Sequence, residues 1–247
     1  MLDSLLLIVV GFIAGFINTL AGGGSLLTLP LLIFMGLPPS VANGTNRVGI
    51  VLQMLAGTAG FKSKGVVSFP FSIYLGISAL LGAIIGAQIA IDIKGETFTK
   101  ILSFVMIAVV LIIVFKPKLS LQNLAERTTG KHLWISCIAF FLFGIYGGFL
   151  NAGLGFILIL FLHHFNRFSL VKSNATKAVV ISIYMSAALL VFVLNDKIDW
   201  TMGLTMAIGT SLGGWVASRY SVKKGDGFIK LFLVIAVSFM AVKLWFF

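Results

Sequence analysis

The stretch G11-F-I-A-G15-F16-I-N18-T-L-A-G22 returns 133 residues later as G144-I-Y-G-G148-F149-L-N151-A-G-L-G155. Five of the twelve positions are identical: Gly11/Gly144, Gly15/Gly148, Phe16/Phe149, Asn18/Asn151 and Gly22/Gly155. The register continues with small gaps. Arg47 falls opposite Lys177, Gly82 and Gly86 opposite Gly209 and Gly213, and Phe98 and Lys100 opposite Phe228 and Lys230. A twofold repeat of glycine-broken apolar segments is the pattern of a membrane transporter whose site lies between its halves.

Composition supports the membrane. Hydrophobic residues make up 59% of the chain, charged residues 10%, and the mean hydropathy is +1.11. A soluble domain would carry roughly 25% charge. Apolar runs long enough to cross a bilayer recur along the chain. The opening M1-L-D-S-L-L has an acid and no base before its apolar run, so the first segment reads as a retained span and not a secretory leader. The lone cysteine, Cys137, sits in an apolar run and offers neither a disulfide nor a metal framework. Net charge is +11, but the bases lie in short loops without an aromatic-rich basic domain. That is the pattern of cytoplasmic loop charge, not of nucleic-acid binding.

The chain reads as an all-α polytopic integral membrane protein, one membrane domain over 1–247. Repeat one spans 1–115, a linker 116–131, and repeat two 132–247. Apolar segments fall near 4–21, 25–37, 41–61, 67–91 and 99–115, then 133–152, 155–163, 170–194, 199–218 and 228–247. The second segment of each set is short. Leu26 to Leu37 would reach roughly 18 Å as helix, against a hydrocarbon core of roughly 30 Å. Segments one and two of each repeat therefore read as a broken-helix hairpin, tipped by A21-G-G-G-S25 and N151-A-G-L-G155, followed by three transmembrane helices. Broken backbone at that depth must be packed in protein or line a cavity.

Loop charges orient this arrangement. With three full spans per repeat, one face receives Lys62, Lys64, Lys116, Lys118, Arg127, Lys131, Arg167, Lys172, Arg219, Lys223, Lys224 and Lys230. The other receives only Lys94, Lys100 and Lys197. With four spans per repeat the bases divide almost evenly. The positive-inside rule selects the odd count, hence inverted repeats, both termini outside and a cytoplasmic linker. The same sidedness follows if the short segments are thin full spans.

Two cations sit within apolar segments at matching positions: Arg47 in V41-A-N-G-T-N-R-V and Lys177 in V171-K-S-N-A-T-K-A-V. A cation near the bilayer midplane is costly unless it meets an anion, water or a lined cavity. Snorkelling to an interface is the structural alternative for each. A matched pair points to substrate binding, with Asn43, Thr45 and Asn46 beside Arg47 as further candidates. At the first tip, Gly22, Gly23, Gly24 and Ser25 precede a short helix whose open N–H groups suit an oxyanion. Asn18 and Asn151 could donate amides to the same ligand or cross-link helices. Gly82-x-x-x-Gly86 and Gly209-x-x-x-Gly213 read as packing motifs. No metal-ligand set or cofactor motif is present in the sequence, and the enzyme signatures H-E-x-x-H, G-x-S-x-G and the P-loop are missing. No acid lies within any span.

The run from G11 to G24-S, then L29-P30-L-L and A42-N-G-T45-N, resembles the sulfite exporter TauE/SafE family of bacterial permeases. The likeness is clearest over 8–62 and weaker over 144–182. Repeat two lacks the triple glycine and has His163 where Pro30 stands, so its tip could be structural. The resemblance implies an inner-membrane permease for a small sulfur oxyanion, such as sulfite or an organosulfonate, working by alternating access in the lipid bilayer. An anion channel and, more remotely, an intramembrane enzyme are the other readings.

Overall fold

The computed structural model describes the backbone of residues 2–114 and 125–246. Among these residues all regular structure is helical: α1 (Leu2–Ala21), α2 (Ser25–Phe34), α3 (Pro39–Lys62), α4 (Phe71–Asp92), α5 (Gly95–Val114), α6 (Gly130–Phe149), α7 (Leu154–His164), α8 (Leu170–Leu194) and α9 (Trp200–Phe246). Most of the expected linker 116–131 lies outside the described residues. Its last two residues, Gly130 and Lys131, already belong to α6.

Helices α1, α4, α6 and α8 are long and apolar enough to cross a bilayer. Helices α2 and α7 have 10 and 11 residues. At 1.5 Å per residue each reaches only about half the hydrocarbon thickness. Local chemistry sets several boundaries. Pro39 opens α3, where its missing N–H costs nothing. Ser169 caps α8, its Oγ accepting from the N–H of Lys172 at 3.1 Å.

One expectation is corrected. Segments 199–218 and 228–247 are not separate, because α9 is continuous over 47 residues, about 70 Å. The intervening R219-Y-S-V-K-K224 contains no proline and consists of residues with ordinary helix propensity. Gly225 and Gly227 weaken a helix by only about 1 kcal/mol each. A run of bases marks a polar stretch without marking a turn.

The helices interlock across the two halves. Helix α1 packs on α9, and α6 on α4; α3 packs on α9, and α8 on α4; α3 and α8 pack on each other. Glycines make the first two seams. A Cβ on Gly82 or Gly86 would overlap the carbonyls of Phe141 or Ile145 on α6. A Cβ on Gly209 or Gly213 would overlap those of Ile8 or Phe12 on α1. Ile8 and Phe12 are the residues that match Phe141 and Ile145 in the repeat, so the two seams are copies of one contact. Gly11 and Gly15 face Met206 and Thr210, as Gly144 and Gly148 face Ala79 and Ala83. This is small-residue packing, in which helix backbones approach closely and dispersion drives association in lipid. Outside the seams, Ile73, Ile77, Leu81 and Ile85 on α4 and Leu204, Ile208, Leu212 and Val216 on α9 stay exposed. Four-residue spacing makes each set an apolar stripe suited to acyl chains.

Gly82→Val and Gly209→Val should each remove the monodisperse peak in detergent size-exclusion chromatography, to a similar extent. Leu81→Val and Leu212→Val, on the lipid stripe, should leave it in place.

Candidate functional site

The two chain breaks are built differently. Helix α1 stops at Ala21 because Gly22 takes φ +84, the left-handed conformation that closes helices. The Gly22 N–H still bonds the Asn18 carbonyl at 2.9 Å. Helix α6 stops at Phe149, with the N–H groups of Leu150 and Asn151 both on the Tyr146 carbonyl. Asn151 (φ 60) and Gly153 (φ 71) then reverse the chain before α7. In the repeat register Ala21 matches Leu154, whereas α6 ends at Phe149, so the second break comes earlier by a little over one helical turn. Asn18 therefore lies inside α1, whereas Asn151 lies in the break itself.

The breaks meet. A Cβ on Gly22 would overlap the backbone of Gly155 and Phe156, and one on Gly155 would come within 2.6 Å of the Gly22 Cα. These are the paired glycines of the repeat, touching where the halves join. Gly24 is also a packing position, since its Cβ would stand 2.5 Å from both the Ala14 carbonyl and the Asn18 Cβ. The glycine run thus serves close packing as well as any ligand. At the start of α2 the Gly24 N–H reaches Asn18 Oδ1 at 3.4 Å. The N–H groups of Gly23 and Ser25 have no hydrogen-bond partner among the described residues.

Arg47 and Lys177 are fully buried, at 1% and 0% exposure, so neither snorkels. Arg47 directs Nη1 to the Gly147 carbonyl (3.3 Å) and Nη2 to those of Gly148 (2.5 Å) and Phe149 (3.3 Å). Its Nη1 also meets Met185 Sδ, its Nη2 meets Asn43 Oδ1, and its guanidinium carbon lies 4.4 Å from the centre of the Phe192 ring. Asn43 Nδ2 adds a bond to the Phe149 carbonyl at 2.9 Å. Lys177 Nζ donates to the carbonyls of Asn18 and Thr19, both at 2.9 Å, and to Asn174 Oδ1 at 2.7 Å. Asn174 Nδ2 bonds the Leu20 carbonyl. Each cation thus caps the C-terminus of the first helix of the opposite half. The carbonyls there carry the negative end of the helix dipole, and apart from that of Asn18, which also takes the Gly22 N–H, they are past the last helical donors. Sequence reasoning sets snorkelling against ligand binding and does not foresee this capping, because the acceptors are backbone atoms 100 or more residues away.

The other candidates divide. Asn46 Oδ1 accepts from Thr28 Oγ1 at 2.7 Å, tying α3 to α2. Thr45 Oγ1 accepts from the Asp199 N–H at 2.8 Å, so it holds the entrance to α9 and makes no hydrogen bond to the tips. Ser25 Oγ lies 3.5 Å from Asn151 Nδ2. Two further residues hold the tip asparagines. Gln53 Oε1 accepts from Asn18 Nδ2 at 3.2 Å, and Tyr184 Oη donates to Asn151 Oδ1 at 2.7 Å. Their polarity within apolar segments is the only signal for them in the sequence.

The sulfite exporter TauE/SafE family model matches residues 7–244. The chain belongs to this family. It is 30% identical to a "Probable membrane transporter protein ORF9" of Sinorhizobium sp, over 96% of this chain and 90% of that protein. It is equally similar to a "Probable membrane transporter protein" of Haemophilus influenzae, over 97% and 93%, and to "Probable membrane transporter protein YfcA" of Escherichia coli K12, over 95% and 87%. No solved structure matches it. As a TauE/SafE member with four long apolar helices among its described residues, it is a multi-pass bacterial membrane protein of a transporter family.

The tip contact has a measurable signature. Gly22 and Gly36 both have positive φ, but a methyl group added at Gly36 would meet nothing within 4 Å. Gly36→Ala should cost only the left-handed strain of about 1–2 kcal/mol. Gly22→Ala adds a backbone overlap and should lower the melting temperature of the detergent-solubilised protein much further.

Proposed function

We propose that this TauE/SafE protein is a secondary transporter of a small oxyanion, a sulfur oxyanion such as sulfite or an organosulfonate, working by alternating access in the bacterial inner membrane. One observation carries the reading. Two cations are buried in the apolar interior, and among the described residues no acid is buried with them. Each faces a helix C-terminus, equivalent to about half a negative charge. Two charges against two half-charges leave about one positive charge uncompensated. At membrane depth that balance favours an anion from outside the protein. The open N–H groups at Gly23 and Ser25 give such an anion donors at a helix N-terminus. Family membership favours sulfur chemistry; the site geometry alone favours only the anion.

The reciprocal seams support two inverted repeats as the transport unit, with α1, α2 and α3 matched to α6, α7 and α8. Their touching tips support a closed route between the halves in this conformation, which fits alternating access better than an open channel. Loop charges favour an N-terminus outside and the end of the linker in the cytoplasm. A C-terminus outside would require α9 to fold back between residues 219 and 228, where it is continuous helix, so the orientation is proposed only for the N-terminal side.

Proteoliposomes containing the wild type should take up labelled sulfite, sulfate or methanesulfonate, and Arg47→Gln should lose about tenfold or more in apparent affinity. Absence of uptake of all three anions, with or without a pH gradient, would overturn the reading. In a Cys137→Ser background, Asp3→Cys should react with an impermeant thiol reagent on intact cells, and Lys131→Cys only after permeabilisation. The reverse pattern would invert the orientation.

A further inference from the structure

We infer that the oxyanion site is one-sided: Arg47 and Asn151 contact the ligand, Tyr184 positions Asn151, and the matching Lys177, its three donors used, forms a structural clasp at the end of α1, where Asn18 is held within the helix. This rests on the anion-transport reading and divides its symmetric candidate pair.

The donors separate the two sides. An ammonium has three N–H donors, and Lys177 meets three acceptors, the carbonyls of Asn18 and Thr19 and Asn174 Oδ1. It has none left for a ligand. Arg47 has five donors. Its Nη groups are engaged at the end of α6, but Nε, although buried, has no partner among the described residues. A guanidinium N–H without an acceptor in an apolar interior is costly unless an acceptor arrives.

The asparagines differ chiefly at Nδ2. Asn18 Nδ2 donates at 3.2 Å to Gln53 Oε1, and Gln53 Nε2 is itself fixed by the Gly15 carbonyl and Thr19 Oγ1, while Asn18 Oδ1 has the Gly24 N–H at a long 3.4 Å. Asn151 Oδ1 accepts from Tyr184 Oη at 2.7 Å, while its Nδ2 has only Ser25 Oγ at 3.5 Å, longer than an ordinary hydrogen bond. The backbone agrees. Asn18 is within a helix, and Asn151 is in the break with φ 60. Non-glycine residues adopt that conformation at a cost, and such residues cluster at ligand sites.

The open donors share a neighbourhood. Arg47 grips the carbonyls of residues 147–149, two positions before Asn151. Met185, touching Arg47, follows Tyr184 in the chain, and the Tyr184 ring lies against Gly147. Ser25 brings the start of α2 to the same point. The ligand class that fits is a small oxyanion, one oxygen on the Arg47 Nε–H and another on the Asn151 amide. The second tip, which lacks the triple glycine, thus supplies the side-chain donor, beside the open N–H groups at the start of α2.

Charge-conserving variants test this, because they leave the overall field unchanged. Dissociation constants for sulfite, sulfate and methanesulfonate would be measured on purified protein from anion-dependent thermal stabilisation. Arg47→Lys, Asn151→Ala and Tyr184→Phe should each weaken the anion that binds wild type by about tenfold. Lys177→Arg and Asn18→Ala should lower the melting temperature and change the dissociation constant by less than about threefold. Should Lys177→Arg not fold, Asn174→Ala opens the same clasp and carries the same expectation. Equal weakening by variants on both sides would overturn the one-sided site while leaving anion transport standing. Failure of all three anions to stabilise wild type would remove the anion reading and this assignment with it.

Discussion

Everything in this fold turns on how a broken helix end is satisfied inside a membrane. A helix that stops at bilayer depth leaves carbonyls without donors, and no water is present to take their place. Here α1 and α6 both end at the buried contact between the halves. Each is finished by a cation from the third helix of the other half: Lys177 for α1 and Arg47 for α6. The same bonds answer the opposite problem, a positive charge in an apolar interior. Neither half could bury its broken helix alone.

The glycine seams make that exchange possible. Helix α1 approaches α9 closely because Gly209 and Gly213 present no side chain, and α6 approaches α4 through Gly82 and Gly86. The first helix of each half is thereby held against the other half. It is placed where a cation on α3 or α8 can reach its end. Packing and electrostatics thus depend on one another: a side chain at a seam glycine would also withdraw carbonyls from Arg47 or Lys177.

Much of this was legible in the sequence, and the rest was hidden for physical reasons. Repetition of Gly11, Gly15 and Gly22 gave the repeat, and the spacing of Gly82 and Gly86 identified a packing seam, because both signals are local. The lengths of the short helices followed from their apolar runs. The α9 boundary failed, because Arg219 to Lys224 signals a change of solvent and contains no helix breaker. The capping roles of Arg47 and Lys177 failed, because their acceptors are backbone carbonyls that carry no residue signature. Gly24 read as a ligand cradle, yet its missing side chain is required first by Ala14 and Asn18 of α1. Thr45 shared a motif with Arg47, but along a helix it faces a different neighbour, Asp199.

On the proposed one-sided assignment, the matched positions differ in function while their packing stays symmetric. An ammonium fitted to three acceptors is chemically finished. A guanidinium at the equivalent place performs the same capping with its terminal nitrogens and still has a donor over. Shifting the break by one turn does the same for the asparagine, taking Asn151 out of the helix that immobilises Asn18. The absence of a buried carboxylate among the described residues completes the logic. An acid beside Arg47 would neutralise it permanently, and the site would have little left to offer an anion. Backbone carbonyls compensate the charge only in part, which stabilises the folded protein and, in the proposed function, leaves attraction for a ligand that must both arrive and depart.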